Sequence, residues 1–100
     1  LKSAEKTLLQ AYELDPSSPA TAFNLAAVLL KEGELERARF YIRRVNNVSA
    51  QVTAESLWLA VRVEHRLGNI NGRDELAEQL RRRFTGSREA TSLELGRFDE

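Results

Sequence analysis

The stretch SPATAFNLAAVLLKEGELERARFYIRRV, residues 18–45, decides how this chain folds. Ser18 and Pro19 open it. A short hydroxyl side chain can accept from a free backbone amide, and proline's fixed φ and missing N–H suit a first helical turn. From there Ala22, Leu25, Ala26 and Leu29 return at three- and four-residue steps, the mark of one buried helical face. Gly33 interrupts the run, and Ala38, Ile42 and Val45 resume the same spacing beyond it. No sustained alternation argues for a strand. The stretch therefore predicts two helices, 19–32 and 35–47, folded back on each other at a glycine turn. Alanines at 26 and 38 let the two approach closely, while Leu25, Leu29 and Ile42 fill the groove beside them.

Working outward, the pattern recurs. Ala4, Leu8, Ala11 and Pro16 return 34 residues later as Ala38, Ile42, Val45 and Ala50. Ala22, Leu25, Ala26 and Leu29 return at the same displacement as Ser56, Leu59, Ala60 and Val63. Gly33 then maps one residue short of Gly68, and past that added residue Arg73, Ala77, Leu80 and Thr85 follow at a displacement of 35. A fixed period of this length marks a repeat architecture, in which no hairpin covers its own apolar stripe and each depends on its neighbours. Helices are predicted near 2–14, 53–67, 72–84 and 87–95 as well, with Asp15-Pro16 ending the first. Residues 1–18 have the character of a second half-repeat with no first half before it, so the chain reads as beginning inside a longer array.

Composition excludes more than it assigns. Apolar residues are 42% and charged residues 30% of the 100, a balance that folds. Fifteen cations against fifteen anions leave no net field for nucleic acid or anionic lipid. The absence of cysteine removes disulfides, thiolate catalysis and thiolate metal sites together. The apolar run Leu25–Leu30 falls far short of the ~20 residues of a membrane span. No phosphate loop, zinc-protease helix or nucleophile elbow is present, so neither catalytic nor cofactor-binding nor metal-binding residues are expected.

Phe23-Asn24-Leu25-Ala26, Lys31, Gly33, Ala38 and the ending Ala11-Tyr12-Glu13-Leu14-Asp15-Pro16 resemble the tetratricopeptide consensus, over residues 1–52 most clearly. The resemblance implies an all-α fold: tandem helix-turn-helix hairpins stacked as a right-handed superhelix, an α-solenoid of about six helices. The whole chain then reads as one domain fragment, with 1–18 a half-repeat, 19–52 a full repeat, 53–86 a divergent one and 87–100 a capping helix and tail. Ala38-Arg39-Phe40-Tyr41, Glu55-Ser56-Leu57-Trp58-Leu59-Ala60-Val61-Arg62 and Gln79-Leu80-Arg81-Arg82-Arg83-Phe84, with Gly86-Ser87 following, are similar to the C-terminal repeats of type IV pilus biogenesis lipoproteins, the pilotins that assist the outer-membrane secretin. That family tends to carry proline where Thr85 stands, and a threonine can cap the next helix in its place.

The likeness implies a protein partner, a secretin subunit or another pilus assembly protein. It also implies a periplasmic location on an outer membrane reached through an N-terminal lipid anchor outside this chain; a cytoplasmic adaptor for an unrelated peptide is the alternative. Tetratricopeptide arrays dock partners on the concave face made by the first helix of each pair. Here that face would carry Phe23, Asn24, Ala27, Leu30 and Lys31, then Leu57, Trp58, Val61, Glu64 and His65. Trp58 and Phe23 are the expected anchors, since aromatic rings supply much of the energy at interfaces; the plain alternative is that both are core. The Lys and Asn clamp of chaperone-binding relatives is missing apart from Asn24. The single histidine, His65, has no partner set for metal or nucleophile chemistry, and Asp74, Glu75 and Glu78 read as charges in the first turns of a helix, where negative charge is favoured. Arg39, Arg43 and Arg44, interleaved with Glu34 and Glu36 at ion-pair spacing, read as structural support, and Arg81-Arg82-Arg83 with Arg88 as a solvated run and not as a nucleic-acid surface.

Overall fold

A computed structural model describes residues 2–99, and among them six α-helices and no strand. The helices are α1 (Lys2–Leu14), α2 (Pro19–Lys31), α3 (Leu35–Asn46), α4 (Ala54–Leu67), α5 (Ile70–Arg83) and α6 (Arg88–Glu94), with a 3-10 turn at Ser49–Gln51. The all-α expectation holds, and most boundaries fall within a residue or two of those read from the sequence. The chain divides between residues 51 and 52 into two three-helix units, beside the expected repeat border at 52/53.

Hydroxyl caps set three of the helix starts. Ser18 Oγ accepts from the Thr21 amide at 3.3 Å, Thr53 Oγ1 from the Ser56 amide at 3.0 Å and Ser87 Oγ from the Ala90 amide at 3.1 Å. Ser56 answers by accepting from the Thr53 amide at 2.8 Å, completing a reciprocal capping box. The caps recur at intervals of 35 and 34 residues. Gly33 and Gly68 also lie 35 apart, both left-handed, with φ of +78° and +79°. The added residue of the middle copy therefore sits in the connector before α4, where the 3-10 turn forms, and not at Gly68. Side chains rarely adopt a left-handed backbone, and replacing Gly68 with alanine is expected to cost about 1–2 kcal/mol in a urea titration, through strain alone because a Cβ there meets nothing within 4 Å.

In the first unit α2 packs along α3, and α1 lies against α2. Ala22, Leu25, Ala26, Leu29 and Leu30 of α2 and Ala38, Ile42 and Val45 of α3 are all buried, as the spacing requires. The α1 stripe is less covered. Ala4 is exposed and Leu8 and Ala11 are half-buried, while the buried residue Glu5 accepts a hydrogen bond from Arg37 Nη1 of α3 at 2.5 Å. That bond holds the Arg37 guanidinium above the ordinary arginine range. Tyr12 and Tyr41 meet edge to face at 5.0 Å between centroids, a second tie between α1 and α3.

In the second unit α4 packs along α5, and α6 closes against both. Every residue from Ser56 to Val61 is buried, together with Val63 and Glu64. A helix covered on most of its circumference is an interior helix, so the predicted stripe Ser56, Leu59, Ala60 and Val63 is buried, and so is the opposite side of α4. Leu57, Trp58, Val61, Ala77, Leu80, Ala90 and Leu93 form one core cluster.

Three local expectations give way here. Helix α5 starts at Ile70 and not at 72, because Asn69 serves as its cap, its Oδ1 accepting from the Gly72 amide at 3.2 Å. Asn71-Gly72 thus lies in the first turn of α5, and a Cβ on residue 72 would stand 2.4 Å from Asn69 Nδ2. The earlier start moves Asp74 and Glu75 beyond the first turn, where they no longer meet the helix dipole. Thr85 does not cap α6: its hydroxyl donates to the Arg81 carbonyl at 2.6 Å, and Ser87 is the cap.

Candidate protein-binding face

The first-helix face predicted from sequence divides in two. On α2, Asn24 and Lys31 are exposed, Phe23 and Ala27 are half-buried and Leu30 is buried at 1%. Phe23, Asn24, Ala27 and Lys31 thus keep some surface at which another chain could dock, and Leu30 belongs to the interior.

On α4 the predicted residues are mostly core. Leu57 and Val61 are enclosed by α5 and α6 side chains, and Trp58 is buried at 9%. Trp58 therefore packs as core, the alternative its sequence position left open. Glu64 is buried too. Its Oε1 accepts from Asn69 Nδ2 at 2.8 Å, orienting the amide that caps α5, so this carboxylate serves the hairpin turn.

His65 is half-buried because the chain's own tail lies on it. The Phe98 ring stacks on the imidazole with centroids 4.1 Å apart and planes at 16°, and stands 5.8 Å from the Trp58 ring. Arg62 Nε donates to the Phe98 carbonyl at 3.0 Å. The Arg73 guanidinium lies 5.5 Å from the Phe98 centroid, and its Nη1 is 2.9 Å from His65 Nδ1. Arginine only donates, so in this contact Nδ1 is the acceptor. Periodicity could not reveal this arrangement, since Phe98 is a single aromatic in a polar segment and the repeat aligns Arg73 only with the small residue Ala38.

The basic strips are mostly structural. Arg81 Nε reaches Glu94 at 2.8 Å, joining α5 to α6, and that bond holds its guanidinium above the ordinary range; Glu78 lies 3.7 Å from Arg81 and 3.8 Å from Arg82. On the first unit Arg39 pairs with Glu36 at 3.4 Å, while Arg44 stands over the Tyr12 ring at 5.7 Å and the Phe40 ring at 5.8 Å. Among the described residues no group of three or more His, Asp or Glu side chains could hold a metal, and no helix is long and apolar enough to cross a membrane. Comparison with protein-family models, with curated proteins and with solved structures finds no match to this chain.

Proposed function

We propose that this chain is a non-enzymatic protein-interaction scaffold of the tetratricopeptide kind, its hairpins stacking as a right-handed α-solenoid. The observation that carries the reading is the recurrence of one capped unit, helix, left-handed glycine, helix, at an interval of 35 residues. Such a device is economical for building a surface and supplies no reaction centre. Within this reading the sequence likeness over residues 38–86 favours a periplasmic pilotin-like factor that assists outer-membrane secretin assembly in type IV pilus biogenesis. A partner segment would lie along α2, with Phe23 as anchor and Asn24 and Lys31 as polar contacts at its edge.

Titration of purified secretin into the full chain tests this. Phe23→Ala should weaken binding about tenfold, in keeping with loss of an aromatic anchor, and Asn24→Ala with Lys31→Ala by a smaller factor. Unchanged affinity for all three substitutions would remove α2 as the docking helix, and no binding by the parent chain would remove the secretin.

A further inference from the structure

The tail after α6 is exposed on either side of Phe98: Leu95, Gly96, Arg97 and Asp99 face solvent, and Phe98 alone is drawn in. Backbone bonds from the Gly96 and Arg97 amides to Leu93 and Ser92 turn the segment back, and Phe98 seats it on α4, its ring between His65 and Trp58 and its carbonyl on Arg62. Proteins commonly read extended peptides in this way, with an aromatic anchor for energy and a backbone hydrogen bond for register. The seat has cations on its border, one of them, Arg73, also paired with Asp74 at 3.1 Å, and in the sequence carboxylates follow Phe98 while Arg97 precedes it. Arg62 and Arg73 border it, and Asp99 and Glu100 follow the phenylalanine.

We propose that this seat is a peptide-binding site for an extended segment in which phenylalanine precedes carboxylate side chains, and that residues 95–99 are its internal occupant. The proposal deepens the interaction-scaffold reading and rests on it. A partner of that chemistry binds α4 by displacing the tail. The short tether from the end of α6 presents Phe98 at an effective concentration on the order of millimolar, so an outside segment competes only when its own contacts exceed those of the tail or when the tail is weakened.

The test uses the full chain and the hexapeptide Leu-Gly-Arg-Phe-Asp-Glu, read through fluorescence of Trp58, the single tryptophan. Phe98→Ala should bind the peptide at least tenfold more tightly than the parent chain does, and a peptide with alanine for phenylalanine should not bind. Equal affinity of F98A and parent, with helical circular dichroism retained, overturns the proposal. Should F98A lose helix, Phe98→Leu replaces it, keeping apolar volume without the ring; tighter peptide binding than the parent supports the proposal and equal binding overturns it. Peptide failure beside intact secretin binding sinks the tail proposal alone, whereas peptide binding without secretin binding sinks the pilotin reading alone.

Discussion

Replacing Trp58 with alanine is expected to destabilise the unit of residues 52–99 by about 3–5 kcal/mol, the range for emptying a buried aromatic site. The ring lies in the cluster with Leu57, Val61, Ala77, Leu80, Ala90 and Leu93, so its loss leaves a hole lined from three helices. Phe98 loses a neighbour at the same time. Urea unfolding followed by circular dichroism measures the effect without needing the tryptophan itself. A Trp58 that served as a docking anchor on open surface would behave otherwise, weakening partner binding while stability stayed within about 0.5 kcal/mol.

The second large effect is expected at Ile42, on α3, where Ile42→Ala should cost about 2–5 kcal/mol. Ile42 is 1% exposed and belongs to the three-and-four-residue stripe that the repeat predicts, whereas its near neighbour Phe40 is 54% exposed. Phe40→Ala should change stability by no more than about 0.5 kcal/mol, although phenylalanine is the larger side chain. The contrast separates the stripe from mere hydrophobicity. Equal losses at the two positions would mean that α3 faces its neighbours with a different side.

Much of this fold can be read directly from residue types. Ser18-Pro19 starts a helix because a hydroxyl can stand in for a missing carbonyl partner, and Gly33 and Gly68 end helices because the turn needs a positive φ. The apolar spacing of residues 22–30 then fixes which side of α2 is buried. What escapes such reading involves contacts between side chains far apart in sequence, or between chemically similar candidates close together. Asn69 and Asn71 are equally good helix starts by composition. The choice of Asn69 depends on Glu64 holding its amide, a contact that closes only after the hairpin forms. Ser87 prevails over Thr85 for a similar reason, since the Thr85 hydroxyl finds a carbonyl in the last turn of α5.

The exposure of the predicted face follows the sequence reading on α2 and departs from it on α4. Phe23, Asn24 and Lys31 retain surface because α2 buries a narrow stripe. Trp58 occupies the corresponding region of α4 but is covered by α6 and by Phe98, and no local pattern announces that a tail with one aromatic will fold back onto it. The buried Glu64 shows the same limit, as a charged residue on a helix reads as exposed until its partner is known.

The most direct test is a nuclear Overhauser spectrum of the isotopically labelled full chain, read for contacts between the paired helices. The account predicts methyl contacts from Leu57 and Val61 to Leu80 and Leu93, methyl contacts between residues 19–31 and 35–46, and sequential amide contacts through all six helices. Amide patterns of extended strands, or helices 19–31 and 35–46 that show no contact with each other, would contradict it.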